Sequence, residues 1–354
     1  MSSPSPELLR LPPLGPEPLV SVLIVNYNYE RYLGAAIESV LQQTYQRFEI
    51  VIVDDGSTDA SREVINRYAD SDPRIRAVFK QNAAVAAALN DAYRASSGEI
   101  IAMLDADDLF APEKLARVVE RFSAGDRVGM VMNVLTKVDS GGAAIGRIPQ
   151  LGSFDRGELR QRVLESAGNL SAAPTSGLSM RRECAERVFP IPEKEFRTEA
   201  DGYMRAIAAL FYAVDVIDEP LTIYRVHSSN VTASQTVDTR WCERVISASE
   251  RVHAAVSKVA SAHGWPVAPL ATSFGYCEAR AVHDYLQRSS RAKALQKIRS
   301  LNAAASATAG TADRFKTRVK AAALAIATLL PHSLGKPVID AGFLPNPLKS
   351  ALGK

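Results

Sequence analysis

Carboxylate and amide side chains occur in three short clusters that together could bind a cation and a polyanion. The clusters are Asn26–Asn28, Asp54–Asp55 and Asp105–Asp108. Carboxylates gathered in one crevice repel one another unless a cation is present, and oxygen ligands suit Mg²⁺ or Mn²⁺. The calcium loop of an EF-hand is excluded, because its sixth and twelfth positions would be Phe110 and Ala116 instead of Gly and Glu.

Each cluster follows an apolar run that the sequence predicts to be a buried strand. The runs are Val20–Val25, Phe48–Val53 and Ile100–Leu104, and stretches of helical periodicity separate them. This alternation indicates βαβ units and a mainly parallel sheet. Because ligands bind at the carboxyl ends of such strands, we expect the clusters to converge. The alternative, that the acidic pairs are only turn formers, accounts less well for three clusters that all follow strands.

The second half is predicted to contain short strands, then helices. Ser176–Met180 and Leu221–Val226 have strand character around a helix over residues 201–211, and residues 141–152 are predicted to be a loop. From Thr239 onward the pattern is helical. Gly-X-Gly-X-X-Gly is absent from the sequence, which argues against a dinucleotide oxidoreductase.

The composition is that of a soluble globular protein. The chain has 354 residues, of which 47% are hydrophobic and 23% charged, with a formal net charge of +3. These values exclude wholesale disorder and a multi-span membrane protein. Three cysteines are too few for a disulfide framework and indicate a reducing, cytoplasmic location. Residues 1–18 contain six prolines and are predicted to form a flexible Pro-rich tail.

The net charge conceals a basic C-terminal region. Residues 285–354 contain twelve Lys and Arg against two acidic residues. Three interpretations remain open: a solvated helical bundle, a peripheral contact with the anionic cytoplasmic membrane surface, or a protein-binding region. The apolar stretch Ala321–Leu330 has about half the roughly 20 residues needed to span a bilayer, so no crossing is predicted. Nucleic acid is not an expected partner, because interleaved aromatic residues are missing and the rest of the chain is acidic.

Two segments carry a family resemblance. They read VSVLIVNYNYERYLGAAIESVLQQTYQRFEIVIVDDGSTD (Val20–Asp59) and GEIIAMLDADDLFAPEKL (Gly98–Leu115). The combination of VDDGSTD with LDADD resembles the family 2 glycosyltransferases, an inverting group with the GT-A fold. The resemblance implies an α/β fold with a Rossmann-like, mainly parallel sheet flanked by helices, here with a C-terminal helical extension. The predicted organisation is a tail (1–18), a GT-A catalytic domain (19–230) and a helical, basic region (231–354).

The resemblance also implies roles for individual residues in donor binding. Val25 and Tyr27 match positions that embrace the nucleotide base, and Asp55 matches the acceptor of a hydrogen bond from it, usually uracil. Asp105 and Asp107 match the Asp-X-Asp element, the first near the ribose and the second a metal ligand. Asn82 matches the start of a segment that usually continues Gly-Gly. Here alanines follow it, which restricts the backbone.

Two further positions concern the reaction itself. The family supplies its general base from an acidic residue at the start of a helix, and the resemblance favours Asp201 over Glu199. His227, in a Tyr-Arg-X-His segment, matches a residue that could complete the metal shell or contact phosphate.

The implied function is metal-dependent transfer of a sugar from a nucleotide-diphosphate sugar, expected to be a UDP-sugar, to an acceptor hydroxyl. The expected cofactor is Mn²⁺ or Mg²⁺, and the expected acceptor is a glycan or lipid-linked glycan of the cell surface. The alternative is a catalytically inactive sugar-nucleotide-binding or scaffold subunit of a polysaccharide assembly complex, which the alanines at positions 83 and 84 favour. The sequence leaves the sugar, the linkage and the oligomeric state open.

Overall fold

The chain divides into two compact units. A computed structural model describes residues 7–150, 152–227 and 238–287. The first unit comprises residues 1–160 and 170–227, and the second comprises residues 161–169 and 228–354. The predicted boundary between residues 230 and 231 lies outside the described residues, as does the basic region from residue 288 onward. The predicted domain limits therefore stay a prediction.

The first half of the first unit alternates strands and helices, as predicted. The elements are β1 (Val20–Asn26), α1 (Glu30–Leu41), β2 (Phe48–Asp54), α2 (Ser61–Ser71), β3 (Ile75–Phe79), α3 (Val85–Ala95), β4 (Ile100–Asp105), β5 (Leu109–Phe110) and α4 (Lys114–Ser123). In α1 the residues at helical spacing, Leu33, Ala36, Ile37 and Val40, are the buried ones. The helical periodicity of the sequence between the first two apolar runs therefore corresponds to a helix with one buried face.

The rest of the described chain adds longer strands and the last helices. The elements are β6 (Val128–Val138), β7 (Ala144–Ile148), α5 (Arg160–Glu165), β8 (Leu178–Arg181), α6 (Arg182–Val188), α7 (Ala200–Phe211), β9 (Ala213–Arg225), α8 (Thr239–Ala262) and α9 (Phe274–Leu286). The predicted loop over residues 141–152 instead contains β7. This strand is exposed and pairs with the end of β6, so the alternating burial that identifies a strand in sequence is missing.

The described strands form one mixed sheet in the first unit. Its order is β3-β2-β1-β4-β8-β6-β9-β5, and β7 pairs with β6 beside this path. Strands β1 to β4 are mutually parallel where they pair. Strand β8 is antiparallel to both of its neighbours, whereas β6 and β9 are parallel. The parallel half agrees with the βαβ pattern, and in the mixed half β9 pairs with β6 and with the short strand β5.

Residues 8–12 pack against the first unit, although the proline content predicted a flexible tail. Leu8 and Leu11 are buried. The N–H of Leu9 donates to the carbonyl of Phe211 at 3.0 Å, and that of Leu11 to the carbonyl of Asp126 at 2.7 Å. Two buried leucines and paired backbone groups hold this segment, whereas residues 1–6 lie outside the described part.

The second unit is helical where it is described, as expected. Helix α8 buries Cys242, Val252, Val256 and Ala260. Cys242 also belongs to a small apolar cluster with Cys277, Ala281 and Val282 of α9. Among the described residues, the helices are too short or too polar to cross a bilayer.

Candidate active site

The carboxyl ends of β1, β2 and β4 lie side by side because these strands are parallel neighbours. In the register of the sheet, Val25 pairs with Val53 on one side and with Asp105 on the other. Asn26 pairs with Asp54. The expected convergence of the three polar clusters is therefore present in the fold.

Asp54, the first acid of its pair, accepts hydrogen bonds from the last residue of β1 and from the loop that follows β2. Its carboxylate accepts hydrogen bonds from the Asn26 amide at 2.9 Å and from the Ser57 hydroxyl at 2.5 Å. The Ser57 backbone N–H donates to it at 3.2 Å. Asp54 is buried, so its role is to tie the loops after β1 and β2 together.

Asp55, the second acid, holds the loop that precedes α3. Its two oxygens accept from the N–H groups of Ala83 and Ala84, each at 2.9 Å. The ammonium of Lys80 lies 3.9 Å from Asp55 and 2.8 Å from Asp91. Asn82, the predicted donor contact just before this loop, is exposed. The carboxylate therefore fixes the loop beside Asn82.

Ala84 adopts a backbone conformation that normally requires glycine. Its φ is 77° and its ψ is 172°, a region that is essentially restricted to glycine. The alanines were expected to restrict the backbone after Asn82. Ala84 nevertheless adopts the conformation that glycine would take, so the loop follows the same path. The Ala84 N–H reaches Asp55 in that conformation.

The residues predicted to embrace the base flank the end of β1. Val25 is half-buried within the strand, and Tyr27, directly after it, is 45% exposed. The next residue, Asn28, has a φ of 59° and accepts the N–H of Thr58 at 2.7 Å through its side chain. This turn presents the Tyr27 ring at the surface beside the strand ends.

The acids of the Asp-X-Asp element interact electrostatically with one another. Burial, the Asp107 charge and the Asp201 charge raise the pKa of Asp105 to about 7. Burial also raises the pKa of Asp107, and His227 opposes that shift. The site therefore concentrates negative charge where water is partly excluded, which favours a bound cation.

His227 lies directly against Asp107, although 120 residues separate them. Its Nε2 is 3.0 Å from the Asp107 Oδ2, and the two side chains are only 5% and 8% exposed. The imidazole stacks on the Tyr32 ring with centroids 4.7 Å apart, and Tyr29 meets it edge-on at 5.7 Å. The structure thus brings His227 to the site, where it contacts the ring of Tyr32 in α1 and the ring of Tyr29 directly before that helix.

Sequence reasoning missed Tyr29, Tyr32 and Arg225. Burial and the charges of the acidic cluster, which comprises Asp105, Asp107 and Asp108, raise the pKa of the Tyr29 hydroxyl. The Arg225 guanidinium lies 5.3 Å from the Tyr32 ring centroid. The available signal was the i, i+3 spacing of the tyrosines directly after a strand end.

The two candidates for the base differ in their placement at α7. Asp201 lies in the first turn, where its Oδ2 is 2.8 Å from Arg205 Nη1 and its Oδ1 accepts the N–H of Gly202. Its charge contributes to the raised pKa of Asp105. Glu199 precedes the helix in a left-handed conformation, with a φ of 60°. The carboxylate of Asp201 is thus held at the start of α7 by Arg205, whereas Glu199 lies just before the helix.

Asp107 and His227 could supply two ligands to a divalent ion. Among the described residues, the side chains do not form a group of three His, Cys, Asp or Glu that could hold a metal by itself. Mg²⁺, however, is commonly held by one or two carboxylates together with substrate phosphates and water. The acidic donor set and its mutual repulsion fit an ion that a diphosphate would help to ligate.

Known proteins with related sequences are glycosyltransferases. The model for glycosyl transferase family 2 matches residues 21–189. An uncharacterized glycosyltransferase of Nostoc sp. (strain PCC 7120) is 42% identical over 212 residues, which is 60% of this chain and 66% of that protein. The putative teichuronic acid biosynthesis glycosyltransferase TuaG of Bacillus subtilis is 38% identical over 105 residues, or 29% and 42% of the two chains. The chain therefore spans less than two thirds of these relatives.

Two solved structures of similar fold contain a bound nucleotide sugar. A mannosyltransferase of Pyrobaculum calidifontis with GDP-Man and Mn²⁺ aligns with a TM-score of 0.51 at 21% identity, covering 96% of this chain and 89% of that one. S. aureus TarS with UDP-GlcNAc aligns with a TM-score of 0.53 at 16% identity, covering 91% and 89%. These likenesses concern the fold. Residues 21–189 of the chain therefore match glycosyl transferase family 2, and its first unit has the GT-A fold.

Proposed function

We propose that the protein transfers a sugar from a nucleotide-diphosphate sugar to an acceptor hydroxyl, with inversion and with a divalent cation. The observation that carries the proposal is the contact of His227 Nε2 with Asp107 Oδ2 at 3.0 Å, beside Asp105 at the end of the parallel strands. The charges of Asp107 and Asp201 both act on Asp105. Inversion rests on the family resemblance.

The donor nucleotide would bind at the ends of β1 and β2. Tyr27 offers an exposed ring, Val25 flanks the strand end, and Asp55 is a carboxylate that could accept a hydrogen bond from the base. Because Asp55 already holds the backbone of Ala83 and Ala84, its orientation is fixed before the donor arrives. Such preorganisation lowers the entropic cost of binding. Asn82 adjoins this loop and is exposed to contact the donor.

The diphosphate would lie at Asp105, Asp107 and His227. Asp107 and His227 would hold Mn²⁺ or Mg²⁺, with Asp105 near the ribose. The cation would stabilise the charge that develops on the leaving diphosphate. His227 is fixed by its contact with Asp107 and by the Tyr32 ring, so its orientation would not change when the donor binds.

Asp201 would act as the general base. The acceptor oxygen would attack the anomeric carbon while the bond to the diphosphate breaks, and Asp201 would take the hydroxyl proton. Arg205 holds the Asp201 carboxylate and also donates to the Ala173 carbonyl at 2.6 Å. The guanidinium therefore restricts the carboxylate to one orientation.

The loop before α3 supports the enzymatic proposal over the scaffold alternative. That alternative rested on the alanines at positions 83 and 84, but Ala84 adopts the glycine-like conformation and both N–H groups reach Asp55. The path of the loop is therefore compatible with a functional donor site.

A donor screen tests the proposal. Release of nucleoside diphosphate is measured with a panel of sugar nucleotides, with Mn²⁺ or Mg²⁺ and with chelator, for the wild type, Asp107→Ala, Asp201→Asn and Glu199→Gln. We expect metal-dependent release that both aspartate variants abolish and that Glu199→Gln largely retains. Absence of binding and turnover with every donor would refute the enzymatic function, and loss in Glu199→Gln with retention in Asp201→Asn would reverse the base assignment.

We further propose a cell-surface polysaccharide or glycolipid acceptor reached from the cytoplasm. The name of the TuaG relative, which refers to teichuronic acid biosynthesis, supports this acceptor class. The twelve basic residues over 285–354 support a peripheral contact with anionic lipid. Full-length protein should sediment with anionic vesicles at low salt and not with neutral vesicles. Equal behaviour with both would exclude the electrostatic contact.

A further inference from the structure

Lys114, the first residue of α4, is completely buried. Its ammonium donates to the Ser176 carbonyl at 2.5 Å and to the Thr222 hydroxyl at 3.0 Å, and it lies 3.7 Å from the Phe110 ring centroid. Burial lowers the pKa of Lys114, and the Asp108 charge opposes that shift. Burying a lysine carries a desolvation cost that its contacts must offset, so burial alone does not favour a lysine here.

The partners of Lys114 lead directly to the acidic cluster. The Ser176 hydroxyl accepts the backbone N–H of Asp105 at 3.0 Å. Thr222 is completely buried and also donates to the Ser176 carbonyl at 3.1 Å. The ammonium therefore joins the segment that holds Asp105 to the strand that contains Thr222.

That strand, β9, supports the other side of the cluster. Three residues after Thr222, the N–H of Arg225 donates to Asp108 Oδ1 at 3.0 Å. Two residues further, His227 contacts Asp107. Movement of β9 relative to Ser176 would therefore change the spacing between His227 and the Asp105–Asp108 loop.

We propose that Lys114 is a positioning residue for the cation and diphosphate site. It fixes Ser176 and Thr222 relative to each other. Ser176 in turn holds the main chain of Asp105, and Thr222 belongs to β9, which leads to His227. This inference rests on the proposed function, because the loop that it positions is the proposed metal and donor site. Supporting residues behind a metal site typically change metal affinity about 10- to 100-fold when they are replaced.

The test is calorimetric titration of the full-length protein with UDP, with and without saturating Mn²⁺. Lys114→Met removes the amine at similar length, and Thr222→Val removes the hydroxyl at nearly constant shape. Lys137→Met, on β6, is the matched control. We expect Lys114→Met to show the cooperative thermal melt of a folded protein. In the presence of Mn²⁺ it should bind UDP about tenfold or more weakly than the wild type does, whereas its affinity for UDP without metal should change little. Thr222→Val should lose affinity in the same direction, and Lys137→Met should behave as wild type.

Asp107→Ala separates this inference from the proposed function. If Asp107→Ala weakens Mn²⁺-dependent binding of UDP and folded Lys114→Met does not, the role of Lys114 is refuted while the site assignment stands. If Asp107→Ala also binds as wild type, the site assignment itself is refuted. Should Lys114→Met fail to fold, Thr222→Val decides, and wild-type affinity in that variant overturns the inference.

Discussion

Replacing Ala84 by glycine should stabilise the protein, although glycine usually weakens a fold. Ala84 has a φ of 77° and a ψ of 172°, and a non-glycine residue in that region costs on the order of 1–3 kcal/mol. Glycine removes this strain but adds about 0.4–1 kcal/mol of unfolded-state entropy. Ala84 also precedes the first turn of α3 as its N-cap, where glycine is preferred over alanine. The expected net gain is about 1 kcal/mol in the free energy of unfolding.

Ala83→Gly is the matched control for this substitution. Ala83 donates the equivalent N–H to Asp55, but it does not have a positive φ. It should therefore lose about 0.5–1 kcal/mol from entropy alone. Urea denaturation gives both values from the midpoints, provided that the slopes agree. A shift of about 2–4 °C in Tm per kcal/mol is expected for a domain of 150–250 residues. Equal destabilisation by both substitutions would refute the assigned conformation of Ala84.

Three further predictions concern the acidic cluster and its supports. The pKa of Asp105 is raised from 3.8 to about 7, so ionisation of this carboxyl destabilises the folded chain as pH rises through that interval. Asp105→Asn should therefore raise Tm above that of the wild type by more at pH 8 than at pH 4. Because the residue is partly exposed, we expect an effect on the order of 1–2 kcal/mol in thermal melts, and a difference from the wild type that does not change with pH would contradict the assigned repulsion. Arg205→Gln should lower kcat with a small effect on KM for the donor and no additional loss in an Asp201→Asn background, whereas additive losses would show that Arg205 acts elsewhere. Tyr32→Ala should weaken Mn²⁺-dependent UDP binding and Tyr32→Phe should retain it, as titration calorimetry will show, because the ring and not the hydroxyl supports the imidazole; equal loss in both would exclude the stacking explanation.

The strands and helices of the first half follow from local signals that the sequence contains. Apolar runs such as Val20–Val25 end at polar clusters, and their parallel arrangement follows from the intervening helices. The strand β7 was missed because its residues are exposed on a hairpin. No local pattern distinguishes such a strand from a loop.

The site was predictable only where its residues lie close to strand ends. Asp55, Asp105 and Asp107 follow buried strands, so their convergence could be inferred from topology. The pairing of His227 with Asp107 joins residues 120 positions apart, and only the family resemblance indicated it. Lys114 showed no signal, because a lysine at the start of a helix is usually solvated. Its burial depends on Ser176 and Thr222, which tertiary structure alone brings to it.

The fold leaves repulsion within the acidic cluster that a ligand can relieve. Lys114 lies on the buried side, where Ser176 and Thr222 hold its amine. Burial raises the pKa values of Asp105 and Asp107, and the charges of Asp107 and Asp201 raise that of Asp105 further, whereas the contact with His227 lowers that of Asp107 without cancelling the shift. A ligand that brings positive charge to the cluster therefore gains affinity from relieving repulsion that the fold already contains. The same repulsion ties cation binding to pH, because protonation and the cation are alternative ways to relieve it.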